Sequence, residues 1–396
     1  MKTRYIPVIL IVFLATTEIT WAQWVPEVCP VKEDLNAVCF INESQGWAVG
    51  DKGTIISKVN GTWTRSTSPI KEDLYCVTFI TRENGWAVGA NGTILRYNGY
   101  AWEKINSPTG NDLLTVSFGD SEKGVITGEN GTILVFSGNT WKQLDKRIKA
   151  NLYAAQYLND DIFLGGGMEL LNVPIMKMAV KWGYSLTNIF DSNIAVLGLA
   201  FTSPDNGWII GSPGVLMHFD GKSWVGPGLD YKFPSLNHIS LSDENNGLSV
   251  GFSGTILAFE EGTWIREESG TNMHLNGSSI TAGNYYAVGD QGTILVRSRN
   301  KDKEELQTKE IPDGAIRLFP NPCRDFLNIG LTLLENNSPV IMSIMDLKGK
   351  VVEQKELDFS KGNLPVTIST ADYKPGTYLV KVKTGSKILL GRFIVN

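Results

Sequence analysis

The sequence predicts an all-β protein whose main part is a seven-bladed β-propeller. Three observations lead to this prediction: an apolar motif bounded by glycines recurs about every 40 residues, tryptophan recurs at the same spacing, and turn residues separate short apolar runs. Self-similarity at this period is typical of arrays built from one repeated unit. Short strands joined by tight turns make that unit a β-sheet.

The glycine motif gives the first count of the repeats. Its clearest copies are Gly-Trp-Ala-Val-Gly at residues 46–50 and 85–89, each followed by Gly-Thr-Ile. Weaker copies follow, and residues 162–165 hold a degenerate one. The closing glycines of the seven copies are Gly50, Gly89, Gly128, Gly165, Gly211, Gly251 and Gly289.

Tryptophan gives an independent count, which is also seven. The intervals are 39, 39, 39, 41, 42 and 40 residues, for Trp24, Trp63, Trp102, Trp141, Trp182, Trp224 and Trp264. Because this series begins before the first glycine motif and ends before the last, we expect Trp to mark the fourth strand of each blade. The last blade then takes its outer strand from residues 23–26, which closes the ring and removes an unpaired edge. The rings themselves are expected to pack between adjacent blades.

The N-terminus is typical of a secretory signal peptide over residues 1–22. Lys2 and Arg4 precede an apolar run at residues 6–15, and Ala22 offers a small residue for cleavage. A membrane anchor would need about 20 apolar residues, and Glu18 interrupts the run too early. We therefore predict export to the periplasm and no transmembrane segment.

The remaining boundaries follow from composition. The propeller is predicted over residues 23–299, a charged linker over 300–315 and a second domain over 316–396. In the second domain, short alternating runs joined by Gly and Pro turns predict a small Ig-like antiparallel β-sandwich.

Charge argues against nucleic acid as a partner. Residues 317–396 hold 11 Lys and Arg against 7 Asp and Glu. The rest of the chain holds 25 Lys and Arg against 34 Asp and Glu, which gives it a net charge of −9. Binding to phosphates needs clustered Lys and Arg.

No cofactor or metal is predicted. Cys29, Cys39, Cys76 and Cys323 lack the spacing of metal ligands. A disulfide among the first three and buried free thiols remain alternatives.

The propeller pattern resembles that of a known family. Phe-x5-Gly-Trp-Ala-Val-Gly-x2-Gly-Thr-Ile, starting at Phe40 and again at Phe79, is similar to the repeat of photosystem II stability and assembly factors, which belong to the sialidase-like repeat propellers. The resemblance covers about residues 24–298, and the fourth blade departs from it through a longer apolar loop at residues 168–178. The shared residues are turn and packing residues, so the resemblance implies the fold rather than an activity.

The last 80 residues resemble another family. Leu-Phe-Pro-Asn-Pro at residues 318–322, Pro-Gly-Thr-Tyr at 375–378 and Gly-Arg-Phe-Ile-Val at 391–395 are similar to the C-terminal sorting domain of the Por, or type IX, secretion system. The resemblance implies that residues 316–396 are recognised by that machinery, and that the protein is secreted or held at the cell surface of a Gram-negative bacterium. The alternative is an ordinary Ig-like accessory module.

No catalytic residue is predicted. His218 is expected on the surface of a blade, whereas His238 and His274 lie near the starts of inner strands. Asp34, Asp73 and Asp112 recur with the repeat, as turn residues do. The alternative function, a glycan-active hydrolase of sialidase-like type, would need two carboxylates at the central pore and an arginine triad.

The leading prediction is a non-catalytic binding or scaffold protein whose unknown ligand is a protein or a glycan. Two departures from the repeat are candidate binding loops: the insert at residues 168–178, which begins at Met168, and the loop at residues 226–235, which carries Tyr231, Lys232 and Phe233. Aromatic and basic side chains suit protein or sugar contacts. The structural alternative is that both loops cover a gap left by the irregular fourth blade.

Overall fold

The computed structural model describes residues 24–145, 148–167, 175–180, 184–190, 194–226, 232–299, 316–319, 321–331, 340–357, 366–384 and 387–395. These residues form β-strands and short 3₁₀ turns, with no α-helix among them. Within the same ranges, no helix has the length and apolarity to cross a membrane.

The first strand, β1 (Val25–Pro26), is followed by six consecutive antiparallel four-stranded sheets in the described part of the chain. Sheet 1 contains β2 (Leu35–Asn42), β3 (Gln45–Gly50), β4 (Thr54–Val59) and β5 (Thr62–Arg65). Sheet 2 contains β6 (Leu74–Thr81), β7 (Asn84–Gly89), β8 (Thr93–Tyr97) and β9 (Trp102–Ile105). Sheet 3 contains β10 (Leu113–Phe118), β11 (Gly124–Gly128), β12 (Ile133–Ser137) and β13 (Thr140–Gln143).

Sheets 4 to 6 continue the same order of strands. Sheet 4 contains β14 (Asn151–Leu158), β15 (Asp161–Gly167), β16 (Ile175–Ala179) and β17 (Ser185–Phe190). Sheet 5 contains β18 (Ala195–Ser203), β19 (Asn206–Ser212), β20 (Val215–Phe219) and β21 (Trp224–Val225). Sheet 6 contains β22 (Leu236–Asp243), β23 (Asn246–Gly251), β24 (Ile256–Glu260) and β25 (Thr263–Glu267).

Sheet 7 combines the two ends of this region. Its own strands are β26 (Leu275–Ile280), β27 (Asn284–Gly289) and β28 (Thr293–Ser298), and β1 is its outer strand. Val25 pairs with Val296 and Pro26 with Leu295, the pairing that the offset between the two repeat counts predicts.

Sheets 1 and 7 are neighbours in space although they are far apart in sequence. The side-chain amide of Asn276 donates to the Leu35 carbonyl at 3.2 Å. The rings of Phe40 and Tyr286 stack with centroids 3.8 Å apart. The arrangement of the sheets is therefore like that of a propeller.

The tryptophans of the outer strands lie in apolar clusters between neighbouring sheets. Trp102 of sheet 2, for example, packs in one cluster with Trp47 of sheet 1, and its ring meets that of Phe79 edge-on at 5.7 Å. Burial of such large rings stabilises the contacts between sheets. Trp182 lies outside the described residues. Buried tryptophans at the other positions are Trp24, Trp63, Trp141 and Trp264, and Trp224 is partly buried.

Sheet 4 differs from two details of the sequence prediction. Part of the apolar insert at residues 168–178 belongs to strand β16, which pairs with β15, and is not a loop. The closing glycine is Gly166 and not Gly165, because a Cβ on Gly166 would lie 2.1 Å from the Asn151 carbonyl oxygen, the contact that the other closing glycines make. Three consecutive glycines concealed this position in the sequence.

The C-terminal region forms two further antiparallel sheets. One contains β29 (Ile316–Phe319), β30 (Phe326–Leu331) and β33 (Val366–Ser369). The other contains β31 (Val340–Asp346), β32 (Val351–Leu357), β34 (Gly376–Thr384) and β35 (Lys387–Val395), in the order β32-β31-β34-β35. Alternate residues of both sheets, such as Leu327, Ile329, Val380 and Phe393, share one buried cluster.

Candidate functional site

The turns between second and third strands define one face of the propeller-like region, which we call the turn face. In five sheets the turn is a 3₁₀ turn: Asp51–Gly53, Ala90–Gly92, Glu129–Gly131, Phe252–Gly254 and Asp290–Gly292. The middle residue is left-handed, as at Lys52 with φ 55°. The next glycine lies against the following loop, because a Cβ on Gly53 would be 2.4 Å from the Ile70 carbonyl oxygen. The loops between sheets therefore lie on the turn face too.

The recurring aspartates hold these turns in place. Asp73 accepts a hydrogen bond from the Lys52 backbone N–H at 2.7 Å, and Asp112 accepts one from Asn91 at 2.8 Å. Asp34 does the same for Gln291 at 2.7 Å, across the junction of sheets 7 and 1. These carboxylates are turn residues, as predicted.

His274 takes the place of such an aspartate. Its Nδ1 lies 3.0 Å from the Ser253 backbone nitrogen and accepts its hydrogen. The ring also meets Phe252 edge-on at 4.5 Å. His274 is therefore a turn residue by position and by contact.

Residues of the inner strands of all seven sheets line a cavity of about 390 Å³, which we call the channel. The described residues that line it are uncharged apart from the titratable His238 and include Cys39 and Cys76. Burial lowers the pKa of His238 to about 4, so the ring is neutral at physiological pH. Its Nδ1 lies 2.8 Å from the Ser278 hydroxyl.

His218 lies between neighbouring sheets and does not face the channel. Its ring stacks on Trp208 at 4.6 Å, and its Nε2 lies 2.6 Å from the Asn206 side-chain oxygen. Burial lowers its pKa, against the opposing effect of Asp220. At the matching position of sheet 2, the Arg96 guanidinium covers the ring of Trp86 at 5.4 Å.

The cysteines are free thiols in the structure. Burial raises the pKa of Cys39 to about 11 and also raises the pKa of Cys76. Buried thiols of this kind stay protonated at neutral pH and are poor nucleophiles. Among the described residues, no three side chains of the metal-binding types come together.

The structure places two of the four candidate ligand-binding residues. Met168 and Tyr231 lie outside the described residues. Lys232 is exposed. Phe233 packs against the cluster that contains Trp208, and its carbonyl oxygen would lie 2.3 Å from a Cβ on Gly214, which repeats the contact of Ile70 with Gly53.

One part-buried ion pair and two indole–carboxylate hydrogen bonds near strand β1 were not predicted. Glu27, just after β1, contacts the Lys58 ammonium at 2.5 Å and accepts a hydrogen bond from the Trp63 indole at 2.7 Å. The Trp24 indole donates to Glu267 at 2.7 Å. The available signal was Lys58 itself, because Tyr97 and Phe136 occupy its place in the next two repeats.

The C-terminal sheets contact the outer strand of sheet 6. The Arg266 guanidinium lies 4.9 Å from the centre of the Phe326 ring. The side-chain amide of Asn328 donates to the Arg266 carbonyl at 3.2 Å. Burial raises the pKa of the nearby Glu268, and the charge of Arg266 partly offsets this rise.

Comparisons with known proteins support both parts of the chain. Residues 317–396 match the family described as secretion system C-terminal sorting domain. A comparison with curated proteins finds no match. The match to the sorting-domain family agrees with the resemblance stated for residues 316–396.

The body of the chain is similar to solved propellers. A structure described as YCF48 bound to D1 peptide is 17% identical, with a TM-score of 0.56, and the match covers 70% of this chain and 95% of that one. YCF48 from Cyanidioschyzon merolae is 15% identical, with a TM-score of 0.55 and coverage of 70% and 99%. The WD40 β-propeller domain of Doa1 is 12% identical, with a TM-score of 0.59 and coverage of 72% and 99%.

At these identities the likeness shows the fold alone. The chain thus joins an all-β, propeller-like body to a secretion system C-terminal sorting domain at residues 317–396, which indicates export by the type IX secretion system.

Proposed function

We propose that the chain is an exported, non-catalytic binding or scaffold protein. In this proposal residues 1–22 are a signal peptide, residues 23–299 form a seven-bladed propeller closed by the N-terminal strand, and residues 316–396 form an Ig-like sandwich. The linker comprises residues 300–315. The mature protein is released from the cell or held on its surface.

The match of residues 317–396 to the sorting-domain family carries the proposal. The pairing of Val25 and Pro26 with β28 supports closure by the N-terminal strand. The single cluster shared by the two C-terminal sheets supports the sandwich.

The uncharged lining of the channel suits binding better than acid–base chemistry, which needs titratable groups poised near the working pH. One structural neighbour is described as bound to a peptide, and propellers offer short loops on a rigid scaffold for such contacts. We therefore expect a protein or glycan ligand.

Removal of the sorting domain tests the export proposal. Deletion of residues 317–396 is expected to leave the protein in the periplasm, whereas the full chain reaches the surface or the medium, as measured by cell fractionation. Deletion of residues 2–22 serves as the control, and that protein should stay in the cytoplasm. Surface delivery of the protein without residues 317–396 would contradict the proposal.

The loops with Met168, Tyr231, Lys232 and Phe233 remain a proposed contact region. Because Phe233 packs against a buried cluster, the test variant is Tyr231→Ala with Lys232→Ala. A surface pull-down and a glycan array with the mature chain should lose their ligand with this variant while the urea midpoint stays the same. Unchanged binding would remove these loops from consideration.

A further inference from the structure

A groove on the turn face gathers three cationic side chains. It has a volume of about 690 Å³, and Lys52, Arg65 and Lys71 line it together with one carboxylate, Glu33, and small hydroxyl residues. Lys52 is the left-handed residue of its turn, Arg65 ends strand β5, and Lys71 lies in the loop before β6. All three side chains are exposed.

The positive charge of this groove contrasts with the acidic body of the chain. Residues 1–316 carry a net charge of −9, with 25 Lys and Arg against 34 Asp and Glu. The next repeat, 39 residues on, has Asn91, Lys104 and Gly110 at the corresponding places, and Lys104 is paired with Glu72 at 3.4 Å. The groove is therefore a property of sheet 1 and not of the repeat.

Backbone preference does not explain Lys52. Asn is enriched in the left-handed region, and the same turn position holds Asn91, Asn130, Ser253 and Gln291 in sheets 2, 3, 6 and 7. Lysine has no such preference, and sheet 1 alone among these five turns carries a cation there. A residue type that the local backbone does not favour is expected where its side chain serves another purpose.

A carboxylate already lies in the field of these cations. Hydrogen bonds from the backbone N–H groups of Glu33 and Lys32 lower the pKa of the Glu33 carboxyl, and the charges of Arg65 and Lys52 lower it further. The groove thus favours an anionic oxygen group at its edge.

We propose that the groove formed by Lys52, Arg65 and Lys71 binds an acidic segment of a partner polypeptide. The inference rests on the proposed binding function. Arg65 offers a fork of donors that fits a carboxylate, and the two lysines add point charges. A polypeptide is favoured over a saccharide because no lining residue is aromatic. In addition, β5 is the edge strand of sheet 1 among the described residues, and an edge strand can accept an extended chain.

Fluorescence titration of the mature chain with a labelled deca-glutamate peptide tests this assignment, with deca-glutamine as the matched probe. We expect micromolar binding of the acidic peptide alone, weakened as salt rises. Lys52→Asn should weaken it by about 3-fold, and Lys52→Asn with Arg65→Gln by about 10-fold or more. Both variants keep residues that suit their backbone, so the urea midpoint should not change.

Lys222→Gln, an exposed lysine in a third-to-fourth-strand turn, controls for net charge and should bind the peptide as the wild type does. An equal loss with this control, or no binding by the wild type, would overturn the assignment. Binding of oligogalacturonate in place of the peptide, with the same dependence on Lys52 and Arg65, would overturn the choice of a polypeptide. If the double variant recovers a partner in a surface pull-down with the same yield as the wild type, the groove is not the binding site. The proposed binding function would be unaffected by that result.

Discussion

At the end of each second strand, the space available for a Cβ atom decides the residue type. Gly50 has an extended backbone with φ −169°, which any residue adopts. A Cβ there would nevertheless lie 1.9 Å from the Asp34 carbonyl oxygen, because the inner strand of the sheet begins directly against it. Glycine recurs at this place for reasons of space and not of backbone freedom.

This contact predicts the effect of adding one methyl group. Gly50→Ala should lower the free energy of unfolding by about 1–3 kcal/mol, because two backbone segments must move apart. Gly110→Ala is the control, since nothing lies within 4 Å of a Cβ at that exposed glycine, and its change should stay within about 0.5 kcal/mol. Urea denaturation of the mature chain measures both, and equal midpoints for the two variants would contradict the steric explanation.

Residue types in the repeat predicted the turns well, because each turn is decided within four residues. Gly-x-x-Gly indicated the second-to-third-strand turns, and the recurring aspartates were expected as turn residues, although their hydrogen bonds to the preceding turn were not predicted. The closing glycine of sheet 4 was placed one residue too early, because it is decided by the distance to Asn151. Such a distance depends on strand register and not on local composition.

At the scale of strands, the junction of sheets 7 and 1 is joined by contacts that span most of the chain. Strand β1 pairs with β28, and Glu27 beyond it reaches Lys58 in sheet 1. The Lys58 side chain is only 6% exposed, and Glu27 is its ion-pair partner. A buried charge that loses its partner destabilises a protein more than the pair stabilises it.

Glu27→Ala should therefore lower the free energy of unfolding by about 3 kcal/mol or more. The double variant Glu27→Ala with Lys58→Met has no unpaired ammonium group, so most of the lost free energy of unfolding should be recovered. Lys58→Met alone completes the double-mutant cycle and leaves Glu27 bonded to the Trp63 indole. If the double variant is no more stable than Glu27→Ala, the buried charge is not the cause.

On the other side of the same junction, Glu43 in the β2–β3 turn holds the β26–β27 turn. Burial acts to raise the pKa of Glu43, but hydrogen bonds from Thr281, Gly283 and Asn284 outweigh it and lower the pKa below its ordinary value of 4.5. The group's contribution to stability is thus complete above pH 4.5 and is lost as pH falls through the lowered folded-state value.

Compared with Glu43→Gln, the wild type should be more stable by a constant amount at neutral pH, and this gap should close as pH falls below about 4.5. Urea midpoints at several pH values measure the gap. Glu244→Gln, in the corresponding turn of sheet 6, serves as the matched control. A gap that stays constant down to pH 3 would remove Glu43 as the source.

The sequence predicted which strands exist but few of these contacts. The offset between the tryptophan and glycine series placed residues 23–26 beside the last sheet. The partners of Glu43 lie about 240 residues away in the chain, and no local pattern marks them. In sheet 4, apolar composition alone could not locate the strand Ile175–Ala179 within the apolar insert.

For the molecule as a whole, composition separates an acidic body from a basic C-terminal region, but it gives no account of their contact. The sorting domain lies against β25 through Phe326 and Asn328 of β30. Both side chains are 1% exposed. The sorting domain is therefore packed against the propeller-like body.

Arg266→Ala should weaken the contact between the sorting domain and β25 without unfolding either part. The variant loses the cation–π contact with Phe326, which is worth about 0.5–2 kcal/mol, so amide exchange in β30 should accelerate by about 2- to 30-fold while β2 and β3 stay protected. The matched control is Arg65→Ala, because Arg65 follows its tryptophan by the same two residues in sheet 1. Exchange–mass spectrometry of the mature chain reads both segments in one experiment. Equal protection of β30 in the two variants would mean that Arg266 does not hold the domain, and the side-chain amide of Asn328 would then be the next contact to remove.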